Sequence, residues 1–151
     1  MKTLLKITAL SAILLGLVAC NKEENVPFVI LAQGDRYGGP DTFGQIIVIK
    51  TQEEWEREFL YQCYNELEID FSRYQMIIII DELRPDSRVS ISGISSIVKS
   101  SNRLIVAMTE WRVVGDHCSF PGAEVQNYYI VKIPTTNKKI ELRISIRTHR
   151  C

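Results

Sequence analysis

The chain reads as an α+β protein: an antiparallel β-sheet of about seven strands, half-barrel or sandwich-like, with one α-helix packed on it. Three observations carry that expectation. Short apolar runs and apolar/polar alternations recur along the chain, separated by glycine, proline, serine and asparagine. One stretch alone, residues 52–64, carries apolar side chains at helical spacing. Most connections are short, which suits antiparallel neighbours.

The elements follow in order. Residues 28–31 (Phe-Val-Ile-Leu) are a first strand, and residues 34–44, dense in glycine and containing Pro40, are a loop. Residues 46–49 are an apolar run of strand length. Thr51-Gln52-Glu53-Glu54 has the form of a capping box, in which the Thr51 hydroxyl accepts from the Glu54 amide and Glu54 reaches back. Glu53 and Glu54 also suit the positive end of the helix dipole. Trp55, Phe59, Leu60 and Cys63 continue at helical spacing, so one helix is expected over residues 52–64. Residues 76–80 (Met-Ile-Ile-Ile-Ile) are too short for a buried helix and predict a strand buried on both faces. Val89, Ile91, Ile94 and Ile97 alternate with a phase slip at Gly93, which predicts a bulge. Ser100-Ser101-Asn102 turns into a strand over residues 104–114, and residues 115–126 form a second long loop. Residues 128–133 and 140–146, joined at 134–138, are expected to close the chain as a hairpin. Of Tyr128 and Tyr129, adjacent on a strand, at least one is expected to face outward.

The first twenty residues say where the protein resides. Lys2 and Lys6 are followed by an apolar run over residues 7–18, then by Ala19 and Cys20. That order is a secretory signal peptide, and the run is too short to remain as a spanning helix. Leu17-Val18-Ala19-Cys20 resembles the bacterial lipoprotein lipobox. The resemblance implies a signal over residues 1–19, a lipidated Cys20 bearing palmitate-type chains, a tether over 20–27 and a single β-rich domain over 28–151. Lys22-Glu23-Glu24 resembles the surface-export signal of certain Gram-negative lipoproteins, which implies the outer leaflet of the outer membrane. The plain alternative is a polar tether.

Loss of Lys2 and Lys6 leaves 16 basic residues facing 18 acidic ones. With no basic stripe, a nucleic acid partner is not expected. Beyond Cys20, three cysteines remain in an oxidising compartment, where a disulfide is the default. A hairpin centred near Thr136 would bring Cys151 opposite Pro121, close to Cys118, so Cys118–Cys151 is the expected bridge. Cys63–Cys118 is its rival, and Cys63 on the helix is otherwise expected as a small buried apolar group. His117 and His149 accompany these thiols, a set tetrahedral zinc can use, but the spacing is unlike a paired-ligand knuckle. The expectation is no metal and no cofactor.

Catalytic signals are weak. The glycine-rich segment from Gly34 to Pro40 lacks the lysine and hydroxyl of a phosphate loop. Asp81, Glu82 and Asp86 are expected as a solvated strand end, since adjacent strand residues point to opposite faces. No nucleophile elbow occurs. A non-enzymatic protein is expected. Tyr37, Phe43 and Phe120 on the long loops are candidate binding anchors, for a protein or for a sugar on which aromatic rings stack. They could equally fold back onto the sheet.

Three segments together carry a family resemblance: the run from Ile46 to Trp55, Ile69-Asp70-Phe71-Ser72-Arg73-Tyr74, and Tyr128-Tyr129-Ile130-Val131-Lys132-Ile133-Pro134. They resemble the C-terminal domain family of the protease complex subunit PrcB and small secreted lipoproteins of related layout. Family members carry a glycine pair where this chain has Pro85-Asp86-Ser87-Arg88. The resemblance implies an accessory or protein-binding role beside other exported proteins and supplies no catalytic residue. A glycan-binding surface module is the alternative.

Overall fold

The computed structural model of the protein describes residues 23–34, 44–81, 89–115 and 126–150. Eight strands and two short helices are present among them. The strands are β1 (Glu24–Asn25), β2 (Val29–Gly34), β3 (Gln45–Ile49), β4 (Tyr74–Ile80), β5 (Val89–Lys99), β6 (Arg103–Val114), β7 (Tyr128–Pro134) and β8 (Lys139–Arg150). The helices are α1 (Gln52–Glu56) and α2 (Tyr61–Tyr64), between β3 and β4. All seven expected strands are there. With β1 they form two sheets of four, not one sheet of seven.

The central sheet has the order β2-β7-β4-β3, and all its pairings are antiparallel. The second sheet has the order β1-β5-β6-β8. One apolar layer lies between them. Ile77 and Ile79 of β4 with Tyr129, Val131 and Ile133 of β7 meet Ile97 of β5 and Leu104, Val106 and Met108 of β6. The opposite face of the central sheet packs under the helical segment, where Trp55 and Leu60 join Ile49, Met76, Ile78, Ile80, Tyr128 and Ile130. The central sheet is therefore covered on both sides. This is why residues 76–80 form an unbroken apolar run, since every position from Gln75 to Ile80 is buried.

Four expectations are corrected here. First, β7 and β8 are not a hairpin. β7 belongs to the central sheet, whereas β8 crosses to the second sheet and runs parallel to β6, from Arg103 opposite Lys139 to Val114 opposite Arg150. The connection is held to the central sheet: the Thr135 amide donates to the Arg73 carbonyl at 3.0 Å, and the Thr136 amide to Gln75 Oε1 at 3.1 Å. The second sheet is thus mixed, not wholly antiparallel. Second, residues 52–64 are not one helix. The capping box forms as expected, with the Glu54 amide donating to Thr51 Oγ1 at 3.1 Å. Beyond it the amides of Arg57, Glu58, Tyr61 and Cys63 each donate to the carbonyl three residues back. Such bonds overwind the chain, so Leu60 turns inward while Phe59 and Cys63 turn to solvent. Third, both Tyr128 and Tyr129 are buried, because both faces of β7 are covered. Fourth, Glu24–Asn25, which the sequence places in the tether, forms β1 against Lys99 and Val98 of β5, and the Val26 amide donates to the Ile97 carbonyl at 2.8 Å.

The bulge at Gly93 is present. The β5–β6 register shifts on either side of Ile94, and Gly93 has φ of 93°, a conformation that side-chain-bearing residues rarely adopt.

Candidate functional site

The two sheets differ in length. β4 and β7 are seven residues each, whereas β6 and β8 are twelve. At the β8 start the sheets are flush, and Pro134, Thr135 and Thr136 lie beside Lys99 and Leu104. At the other end the second sheet overhangs. Burial along β6 stops after Glu110, and every residue of β8 from Arg143 to Arg150 is exposed.

Strand alternation divides the overhang into two rows. In the parallel register Met108, Glu110, Arg112 and Val114 lie beside Ile144, Ile146, Thr148 and Arg150. This row continues the apolar layer between the sheets. Ile146 is 54% exposed and Val114 41%, so it is a core face running out past the cover that the described strands give. The other row holds Thr109, Trp111 and Val113 beside Ser145, Arg147 and His149, preceded by Arg143 opposite Ala107. Trp111 is 37% exposed, and the Arg147 guanidinium sits 5.6 Å from its ring centroid, a cation–π arrangement. Arg143 also reaches Glu23, with Nη2 3.4 Å from Oε1. Glu141 lies between Lys139 and Arg103, whose hydrogen bonds hold its carboxyl below the usual carboxylate range.

At the root of the overhang the apolar layer turns polar. Glu110 is buried and pairs with Arg112 across the edge of the layer. Asp81 continues the Ile77–Ile79 row of β4 and is buried. It is therefore not the solvated strand end the sequence suggests. The Asp81 amide donates to the Asn127 carbonyl at 2.8 Å, and Gln126 Nε2 donates to the Asp81 carbonyl at 3.2 Å. Burial pushes the Tyr129 phenol above its ordinary value, and the nearby Asp81 charge adds to the rise.

The other candidates fare differently. Cys20, Tyr37, Phe43, Cys118, Phe120 and Cys151 lie outside the described residues, as do Glu82, Asp86 and His117. Residues Gly34 and Gly44, Asp81 and Val89, and Gly115 and Gln126 bracket the three internal segments that carry several of them. The strand ends they adjoin all lie at the overhanging end. Cys63 is a free, exposed thiol and not a buried apolar group. His149 stands on β8 opposite Val113, and among the described residues no cluster of three histidine, cysteine or acidic side chains could hold a metal ion. No described helix is long and apolar enough to cross a membrane.

The residues that sequence reasoning passed over are Trp111, Ile144, Ile146 and the arginines 143 and 147. Their signal was present as a basic residue at every fourth position, Lys139, Arg143 and Arg147, interleaved with isoleucines. What it lacked was any sign that two-thirds of β8 has no described strand covering it. Comparison of the chain with protein-family models, curated proteins and solved structures finds no match.

Proposed function

We propose that the chain is a lipid-anchored lipoprotein of the outer membrane, carried at the cell surface, whose domain is a non-enzymatic protein-binding or accessory module. The lipobox-like Leu17-Val18-Ala19-Cys20 and the Lys22-Glu23-Glu24 segment support the anchoring and the route. The likeness of residues 45–133 to the PrcB C-terminal domain supports the accessory role. The observation that carries the function is the overhang, which exposes apolar side chains on both faces: Val114, Ile144 and Ile146 on the one toward the central sheet, and Trp111 beside Arg147 on the other. Apolar side chains exposed together and rimmed by charge mark an interaction site.

A Cys118–Cys151 disulfide belongs to the same proposal, although its hairpin argument no longer holds. Its support is now the parallel register: Val114 and Arg150 are partners, and the two cysteines follow within four residues and one residue of them in sequence. The free Cys63 thiol supports this pairing over the rival Cys63–Cys118. The glycan-binding alternative rests on Tyr37, Phe43 and Phe120, and the overhang favours a protein partner over it.

Site-specific photo-crosslinking in intact cells tests the binding role. A crosslinking side chain at Trp111 should give a discrete protein adduct, and the same group at Arg57 on the helical side should not. Adducts from both positions, or from neither, would remove the proposal. Cys20→Ser should abolish acyl labelling and release the chain from membranes; a variant that stays membrane-bound would remove the anchor.

A further inference from the structure

The free edge of β8 carries more information than the existence of a surface. Among the described residues β8 is the last strand of its sheet, with β6 hydrogen-bonded along one side, and β3 touches it from the central sheet. Its exposed part, Arg143–Arg150, spans about 26 Å at ordinary strand rise. In a parallel pair, alternate residues turn their amide and carbonyl toward the neighbour, and the rest point outward. An outward row of that kind is a template for a further strand.

The two side-chain rows specify what strand that would be. One presents Ile144 and Ile146; the other presents Arg143 and Arg147, with Ser145 between them. Directly opposed residues on paired strands interact, favourably for opposite charges and for apolar pairs, unfavourably for like charges. A second copy of β8 is disfavoured on that ground. Antiparallel pairing about Ser145 sets Arg143 against Arg147, and parallel pairing in register sets each arginine on itself. An extended segment that alternates carboxylates with branched apolar residues satisfies both rows together.

We propose that β8 receives an extended, acidic–apolar alternating segment of a partner protein as a ninth strand, its carboxylates over Arg143 and Arg147 and its apolar side chains over Ile144 and Ile146. This rests on the protein-binding role above and names the chemistry of the partner.

The test uses the full chain in detergent with a synthetic peptide of about ten residues alternating glutamate and valine, long enough to cover the exposed part of β8. Amide exchange followed by mass spectrometry should show slowed exchange confined to residues 143–150. A peptide of the same composition in scrambled order, and one with lysine in place of glutamate, should give none. The double variant Arg143→Glu, Arg147→Glu should weaken binding by about tenfold or more, the scale of two cross-strand charge pairs reversed. Both side chains are exposed, and a melting curve equal to the parent's verifies that the variant folds. Absence of protection, protection elsewhere, or equal binding of the lysine peptide overturns the proposal, as does a sedimentation result showing that the chain pairs with itself through β8. A Trp111 adduct in cells without β8 protection by the peptide would leave the accessory role standing and remove only the added strand.

Discussion

Tyr128 and Tyr129 show how little a residue's neighbours in sequence say about its surroundings. Tyr128 points to the helical side, where its hydroxyl lies 2.7 Å from that of Tyr64 and its ring packs against Gly34 so closely that a Cβ there would sit 2.5 Å from it. Tyr129 points into the layer between the sheets, near Asp81. Its phenol has a raised pKa, so the folded state holds the proton more tightly than the unfolded chain does. Stability from this group is complete below the ordinary tyrosine value of about 10 and is lost as pH rises beyond it, because the unfolded chain then binds fewer protons. Tyr129→Phe should therefore flatten the fall of the urea midpoint between about pH 9 and pH 11. Identical slopes for parent and variant would show that the phenol does not report on folding.

At the scale of the element, the segment from Thr51 to Tyr64 is a well-started helix that cannot continue. Thr51 and Glu54 close the capping box and Trp55 enters the core fully, its ring meeting Tyr61 edge-on at 5.8 Å. The tighter turns that follow bring Leu60, not Phe59, to the sheet. Trp55→Ala should cost about 3–5 kcal/mol in urea unfolding, the range for a large aromatic lost from a core. Phe59→Ala, at 42% exposure, should cost under about 1 kcal/mol. Equal losses at the two positions would restore the single regular helix that spacing suggests. β8 makes a related point. Its alternation of isoleucine and leucine with charge marks one buried face, but only Ile140 and Leu142 pack against the inter-sheet core.

For the whole molecule, the order of layers predicts an order of stability. The central sheet lies between the second sheet and the helical segment, and β4 and β7 are hydrogen-bonded on both sides. Native-state amide exchange should be slowest in β4 and β7 and fastest over residues 143–150 of β8, since protection follows burial and the number of hydrogen-bonded neighbours. Uniform exchange across both sheets would contradict this layering. The overhang is the structural cost of that arrangement: among the described residues, twelve-residue strands beside seven-residue ones leave a core face without cover.

The sequence alone determined where β2 to β8 lie, the capped start of the helix, the slip at Gly93 and the two-sided burial of residues 76–80. Each is written in a local period, a cap or a glycine, within reach of a few residues. Which sheet a strand joins is not local. The stretch from Pro134 to Lys138 is short enough to close a hairpin, yet Gln75 and Arg73, some sixty residues earlier, hold it so that β8 departs for the other sheet. Alternation along β8 says that one face meets apolar neighbours and not how far they extend. Tertiary packing alone decided that β6 and β8 run parallel, that Asp81 and Glu110 are buried, and that Trp111, Ile144 and Ile146 stand at an uncovered end, because burial depends on the length of the sheet opposite and no residue on β8 encodes that length.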